Sequence, residues 1–166
     1  MEQRFELQQF AEKLKQQAES DGIERILVGA IPIFHKKILL VERSSRDDFL
    51  PGYIEIPGGN LKADENILRG VERELFEETN LKVAKIHEYI GSFDAISPDG
   101  KKARQFNFLT ELTNNHVQLS EEHSRYIWWD IEDLAQIDSM CMIGSMLKIL
   151  QKAIEHLKKP HSLINE

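Results

Sequence analysis

The spacing of apolar residues divides the chain into segments of different period. Near the N-terminus Phe5, Leu7, Phe10, Ala11 and Leu14 recur at near-helical intervals within Arg4 to Glu19, and Asp21-Gly22 supplies a stop. Ile26 to Phe34 and Lys37 to Val41 then form two β-prone runs joined at His35-Lys36, which predicts a hairpin. Leu50 to Ile56 predicts one more short strand. Pro57-Gly58-Gly59 breaks the pattern, and a helical period takes over from Glu65 to Thr79. Asp64 stands where it can cap the free N–H groups of that helix, and Asn80 suits a left-handed turn at its end. Val83 to Phe93 and Ala103 to Leu112 predict a second hairpin around Ser97-Pro98-Asp99-Gly100. Tyr126 to Trp129 reads as a strand, Ile131 to Ala135 as a helical turn and Met140 to Leu157 as an amphipathic helix. Strands mixed with helices, without regular alternation, predict an α/β sandwich with a mixed sheet between helical layers.

Composition changes this picture in two ways. The length of 166 residues and an apolar content of 41% suit one compact domain. The expected organisation is an N-terminal helix over 1–22, a domain over 23–160 and a tail over 161–166. The net charge of -7 argues against a nucleic-acid polymer as partner, because no basic face is available to displace counterions. The same acidity would repel a phosphorylated small molecule unless a bound cation inverted the local field, which directs attention to a metal. A single cysteine, Cys141, excludes an internal disulfide, and no apolar run reaches the roughly 20 residues that a bilayer span needs. A cytoplasmic protein with no membrane partner is the expectation, with Cys141 as an inert core residue of its helix.

The candidate chemistry lies on the helix after the glycine pair. On a wheel of about 100° per residue, Ile67, Leu68, Val71 and Leu75 share the packing arc. Glu74 and Glu77 fall just beyond one edge of it, and Glu78 falls inside its border. Three acids on one corner destabilise a helix by repulsion, about 0.2–0.5 kcal/mol for each close pair and more where they are partly buried. Arg73 reaches Glu77 one turn on, but a single guanidinium cannot neutralise three carboxylates. Clustered hard oxygens suit Mg²⁺ or Mn²⁺, which retain waters and bridge substrate phosphates.

Gly59, five residues, Glu65, seven residues, Arg73-Glu74-Leu75, one residue, Glu77-Glu78, one residue and Asn80-Leu81 together resemble the signature box of the Nudix hydrolases. The departure is Asn80, where that family usually has Gly; Asn also tolerates the left-handed conformation. The order of elements from Arg25 to Leu157 is similar to the family's α/β/α sandwich. The resemblance implies that Glu77 and Glu78 are metal ligands, with the Gly58 carbonyl and Glu74 completing the shell. It implies supporting roles for Arg73, which would orient a ligand carboxylate, and for Glu65 in the first helical turn, which would tie the loop to the helix.

The implied activity is hydrolysis of the diphosphate linkage in a nucleoside diphosphate derivative: a nucleoside triphosphate, an oxidised dNTP, ADP-ribose or a nucleotide sugar. A water must be aligned and deprotonated, and Glu74, Glu77, Glu121 and Glu122 are all candidate bases, with Glu122 also resembling a loop acid that serves the family's site. Arg43 resembles a phosphate contact, although a surface ion pair explains it as well. Alternation along Arg104 to Phe108 sets Phe106 and Phe108 apart from Gln105 and Asn107, of which one pair should pack and the other could read a base. Trp128 and Trp129 are expected in the core or at the sheet edge, and His123 is expected to be exposed. The competing reading is a Nudix-fold binding or regulatory module without catalysis, against which the intact box stands. A homodimer through a helical apolar stripe is open.

Overall fold

The computed structural model describes residues 1–133 and 141–160. Among them the chain forms α1 (Glu2–Ser20), β1 (Arg25–Phe34), β2 (Lys37–Arg43), β3 (Ile54–Glu55), β4 (Gly58–Asn60), α2 (Ile67–Thr79), β5 (Val83–Ile96), β6 (Lys102–Leu112), β7 (His123–Asp130) and α3 (Gly144–Leu157). The strands make one mixed sheet in the order β3-β2-β1-β6-β5, with β4 paired to β1 and β7 paired to β2. β1 runs parallel to β6 from Arg25 opposite Ala103 to Ile33 opposite Glu111, while β2, β4 and β7 pair antiparallel.

Alternation along the strands sends side chains to two separate cores. Ile31, Ile33, Ile38, Leu40 and Leu109 pack under α3 with Ile149, Leu150 and Ile154. Val28, Ala30, Leu39, Phe106 and Phe108 face the other way, against α2 and α1. The result is the expected layering, with helices on both faces of a mixed sheet. Ile67, Leu68, Val71 and Leu75 of α2 are all fully buried, at about 1.5–3 kcal/mol of hydrophobic stabilisation each. α1 lies over the same face, with Ala11 and Ala18 buried and the Phe10 ring 5.6 Å from that of Tyr89.

Several local expectations need correction. The strand expected over Leu50 to Ile56 shrinks to Ile54–Glu55, because Leu50 and Gly52 adopt positive φ values of 49° and 77° and make a turn. Asn66, not Asp64, caps α2: its side chain accepts a hydrogen bond from Arg69 N at 2.9 Å, while Asp64 sits at φ 61°. Glu65 therefore precedes the helix. Asn80 does take the left-handed end, at φ 59°. Cys141 is exposed ahead of α3, so it belongs neither to that helix nor to the core. Ala135, Met140 and the 161–166 tail lie outside the described residues.

Candidate active site

β4 lies against β1, with Gly58 opposite Gly29 and Gly59 opposite Val28. The approach is close enough to require glycine at position 58, where backbone lies in the way, and to displace the Glu74 carboxylate if position 59 gained a side chain. A Cβ at Gly58 would stand 2.3 Å from the Val28 carbonyl oxygen, and one at Gly59 would stand 2.6 Å from Glu74 Oε2. Backbone and helix thus meet without an intervening side chain, which brings the glycine edge directly onto the acidic corner of α2.

Arg73 organises one side of that corner. Its Nε and Nη2 donate to the two Glu65 oxygens at 2.7 and 2.8 Å, Nη1 donates to Glu74 at 2.7 Å and to Glu77 at 3.2 Å, and Nη2 also reaches the Asn60 carbonyl at 3.0 Å. Glu65 accepts from Lys62 N as well, so it joins the loop to the helix from a position before the first turn. The Arg73 guanidinium holds the Glu65 carboxyl below its ordinary range, with burial opposing. For Glu74 burial outweighs the same guanidinium, and its pKa is raised.

Glu78, one turn beyond Glu74, has no such partner. It is 3% exposed and accepts one hydrogen bond, from Gly58 N at 3.1 Å. The basic atom near it is His123 Nδ1, at 3.9 Å from Oε2. Burial first, then the neighbouring Glu122 charge, pushes its pKa up to about 9. His123 departs from expectation: it is 6% exposed, because its Nε2 meets Glu55 Oε1 at 2.9 Å and its ring is drawn into the sheet edge. Its Nδ1 is buried without a hydrogen-bond partner.

Among the described residues no three acidic, histidine or cysteine side chains already converge as a finished metal cluster. Glu74 and Glu77 are turned towards Arg73, and Glu77 is half exposed. The donor set still fits a hard divalent cation. It is built of carboxylate oxygens beside the Gly58-Gly59 backbone, and its innermost member is a buried carboxylate that lacks a countercharge. Gly58, Glu74, Glu77 and Glu78 are the groups that could hold the cation.

A cavity of about 410 Å³ opens beside this corner, lined by Gly58, Gly59, Arg43, Glu55, Gln105 and Glu122 and, farther out, by apolar side chains. Arg43 and Gln105 are thus brought to the site, and so is Glu122, exposed in the turn before β7. Asn107 is fully buried behind Gln105, accepting from its amide at 2.8 Å and donating to the Gly91 carbonyl at 3.1 Å. Phe106 and Phe108 are the set that packs. Trp129 is buried and Trp128 lies at the edge of the opposite core. Glu55 was not singled out from sequence, although its place between Ile54 and Ile56 in an alternating strand turns it away from the core.

The mixed α/β fold sets an acidic helix corner against a glycine strand beside a cavity, and comparison with known proteins makes the chain a hydrolase of phosphoanhydride bonds. Residues 24–144 match the NUDIX domain family, and the chain belongs to that family of hydrolases. The "Bis(5'-nucleosyl)-tetraphosphatase [asymmetrical]" of Caenorhabditis elegans is 30% identical to it, over 76% of this chain and 87% of that protein. The "m7GpppN-mRNA hydrolase NUDT17" of Xenopus laevis is 25% identical over 92% of this chain, which spans only 57% of that relative's length. Among solved structures, the MutT protein of Methanosarcina mazei Go1 superimposes with a TM-score of 0.69 at 27% identity, covering 81% of this chain and 96% of that one. Among the described residues no helix is long and apolar enough to cross a membrane.

Proposed function

We propose that this Nudix hydrolase is divalent-metal-dependent and cleaves the diphosphate linkage of a nucleoside diphosphate derivative by water attack at phosphorus. The observation that carries the reading is Glu78: a buried carboxyl group with no Arg or Lys partner, bonded to Gly58 N on the edge of a cavity large enough for a nucleotide. Gly58, Glu74, Glu77 and Glu78 would hold Mg²⁺ or Mn²⁺, which when bound neutralises phosphate charge and lowers the pKa of water. Arg73 is paired to Glu65 and so holds the loop at Lys62 to Glu65 in place, a contact it would keep if Glu74 and Glu77 served the cation.

Glu122 is proposed as the base that takes the proton of the attacking water. It lines the cavity and lies close enough to Glu78 to raise the latter's pKa, whereas Glu77 is engaged by Arg73 and Lys62. Gln105 presents an amide to the cavity wall, held by Asn107 behind it, and is the polar group available to a base or ribose. Both named relatives act on nucleoside polyphosphate chains, which supports a nucleoside-linked phosphoanhydride as the substrate class.

The test is release of phosphate and pyrophosphate from nucleoside triphosphates, oxidised dNTPs, dinucleoside polyphosphates, ADP-ribose and nucleotide sugars, with Mg²⁺ or EDTA. Metal-dependent turnover of one group, abolished in Glu78→Gln, supports the reading. Absence of turnover on every substrate, with Mg²⁺ bound, would replace it with a binding module.

A further inference from the structure

The wall of the cavity carries an aromatic side chain that the fold does not need. Phe49 is 44% exposed and belongs to neither hydrophobic core, yet it lines the cavity. Ile96, 63% exposed at the end of β5, lines the same cavity, as does Pro98 in the hairpin turn. Large apolar groups left in water on the wall of a cavity cost solvation and gain no packing from the fold.

The loop that carries Phe49 is also more firmly built than an exposed tip requires. Asp47 Oδ1 accepts from Phe49 N at 2.9 Å, and Arg43 Nε donates to the Phe49 carbonyl at 2.9 Å. Arg43 is itself paired to Asp47, closing a ring of three residues. The guanidinium carbon then lies 5.6 Å from the centroid of the Phe49 ring. Gly52 N returns to the Arg43 carbonyl at 3.1 Å, so the turn is fastened at its base as well. Arg43 thus has its donors committed to Asp47, Glu55 and Phe49.

We infer that Phe49 is the stacking platform for the substrate's nucleobase, and that Arg43 and Asp47 are positioning residues that hold the ring ready. A base laid on the Phe49 ring buries its π-face and the ring's, and an ordered loop avoids the entropy of fixing a free phenylalanine on binding. The phosphate chain then runs towards Gly58, Gly59 and Glu122, and Gln105 meets the base or ribose edge. The inference rests on the nucleotide reading above and assigns the end of the cavity that recognises the base.

Calorimetric titration with AMP, GMP and ribose 5-phosphate, in Mg²⁺, separates the two ends without turnover. Wild type is expected to bind both nucleotides at least about tenfold more tightly than ribose 5-phosphate. Phe49→Ala removes that margin, lowering nucleotide affinity about tenfold and leaving ribose 5-phosphate binding as it was, while Phe49→Trp retains it. Asp47→Ala weakens nucleotide binding in the wild-type background but adds nothing to Phe49→Ala, as expected of a residue acting through the ring. Equal loss for all three ligands in Phe49→Ala, no loss at all, or a wild type indifferent to the base would overturn the inference. Base-dependent binding lost in Phe49→Ala, in a protein that hydrolyses no substrate, would refute the catalytic reading and leave this one standing.

Discussion

Glu74 and Glu78 stand one helical turn apart on α2, next to the same glycine strand, in opposite electrostatic surroundings. On the Arg73 side, three carboxylates and a backbone carbonyl share one guanidinium. On the other side Glu78 is buried against Gly58 N with Glu122 and Glu55 raising its pKa and no cation paired to it. The first arrangement is self-sufficient and fastens loop to helix. The second keeps its proton in the protein alone and would ionise at neutral pH only against an external positive charge, which marks where a cation is wanted. An acidic cluster thus divides into a structural half, balanced by Arg73 in the metal-free protein although its Glu74 and Glu77 would also serve the cation, and a ligand-seeking half with no such balance; the division is made by where one arginine points.

The largest effect expected from breaking this contrast is on the Glu78 side. Glu78→Gln should reduce metal-dependent hydrolysis by at least about 10³-fold, measured as initial rate at saturating Mg²⁺. It should not lower the melting temperature of the metal-free protein, because a neutral amide replaces a group that is already protonated at neutral pH. The pH dependence follows from the same raised pKa. The folded state holds the Glu78 proton up to about pH 9, while the unfolded chain releases it near the ordinary 4.5. Between those values the native state binds more protons, so metal-free stability contributed by this group falls as pH rises. Thermal melts in EDTA from pH 5 to 9 should show that decline in wild type, and a flatter profile in Glu78→Gln.

Next comes the structural half. Arg73→Ala strands Glu65, Glu74 and Glu77 together and should cost about 2–3 kcal/mol in urea unfolding, with or without metal. A change within about 0.5 kcal/mol would show that the guanidinium is a surface ornament of the kind exposed ion pairs often are. Gly59→Ala places a methyl against the Glu74 carboxylate and should cost about 1–3 kcal/mol, with weaker Mg²⁺ binding because Glu74 is displaced. The smallest effect belongs to Asn80→Gly at the far end of α2. Removing the Cβ at φ 59° should stabilise by about 0.5 kcal/mol or less and leave the rate unchanged, since the residue takes no part in either half.

What sequence could disclose follows the same line. The packing face of α2 was legible because a helix has a fixed period, and the longer strands were legible because hydrophobic runs and turn residues mark them, whereas β4 was read as a loop because Gly58-Gly59 carries no hydrophobic run. The inward lean of Glu78 also followed from the wheel. The burial of His123 did not, because its partner Glu55 is remote in sequence and meets it only through pairing of β7 and β3 with β2. Strand ends and the α2 cap shifted where single residues adopted positive φ, as at Leu50 and Asp64, which composition alone does not forbid. The roles of Arg43 and Phe49 needed the fold of the loop between them, since a charged residue at a strand end suits a phosphate, an ion pair or a positioning role equally well by sequence.

The most direct test of the central claim is calorimetric titration of Mg²⁺ into wild type and Glu78→Gln at pH 7.5, in two buffers of different ionisation enthalpy. Binding to wild type should release about one proton, the one held by Glu78, and Glu78→Gln should lose both that release and at least about tenfold in affinity. Equal affinity in the two proteins, with no proton released from either, would place the cation elsewhere and contradict the account.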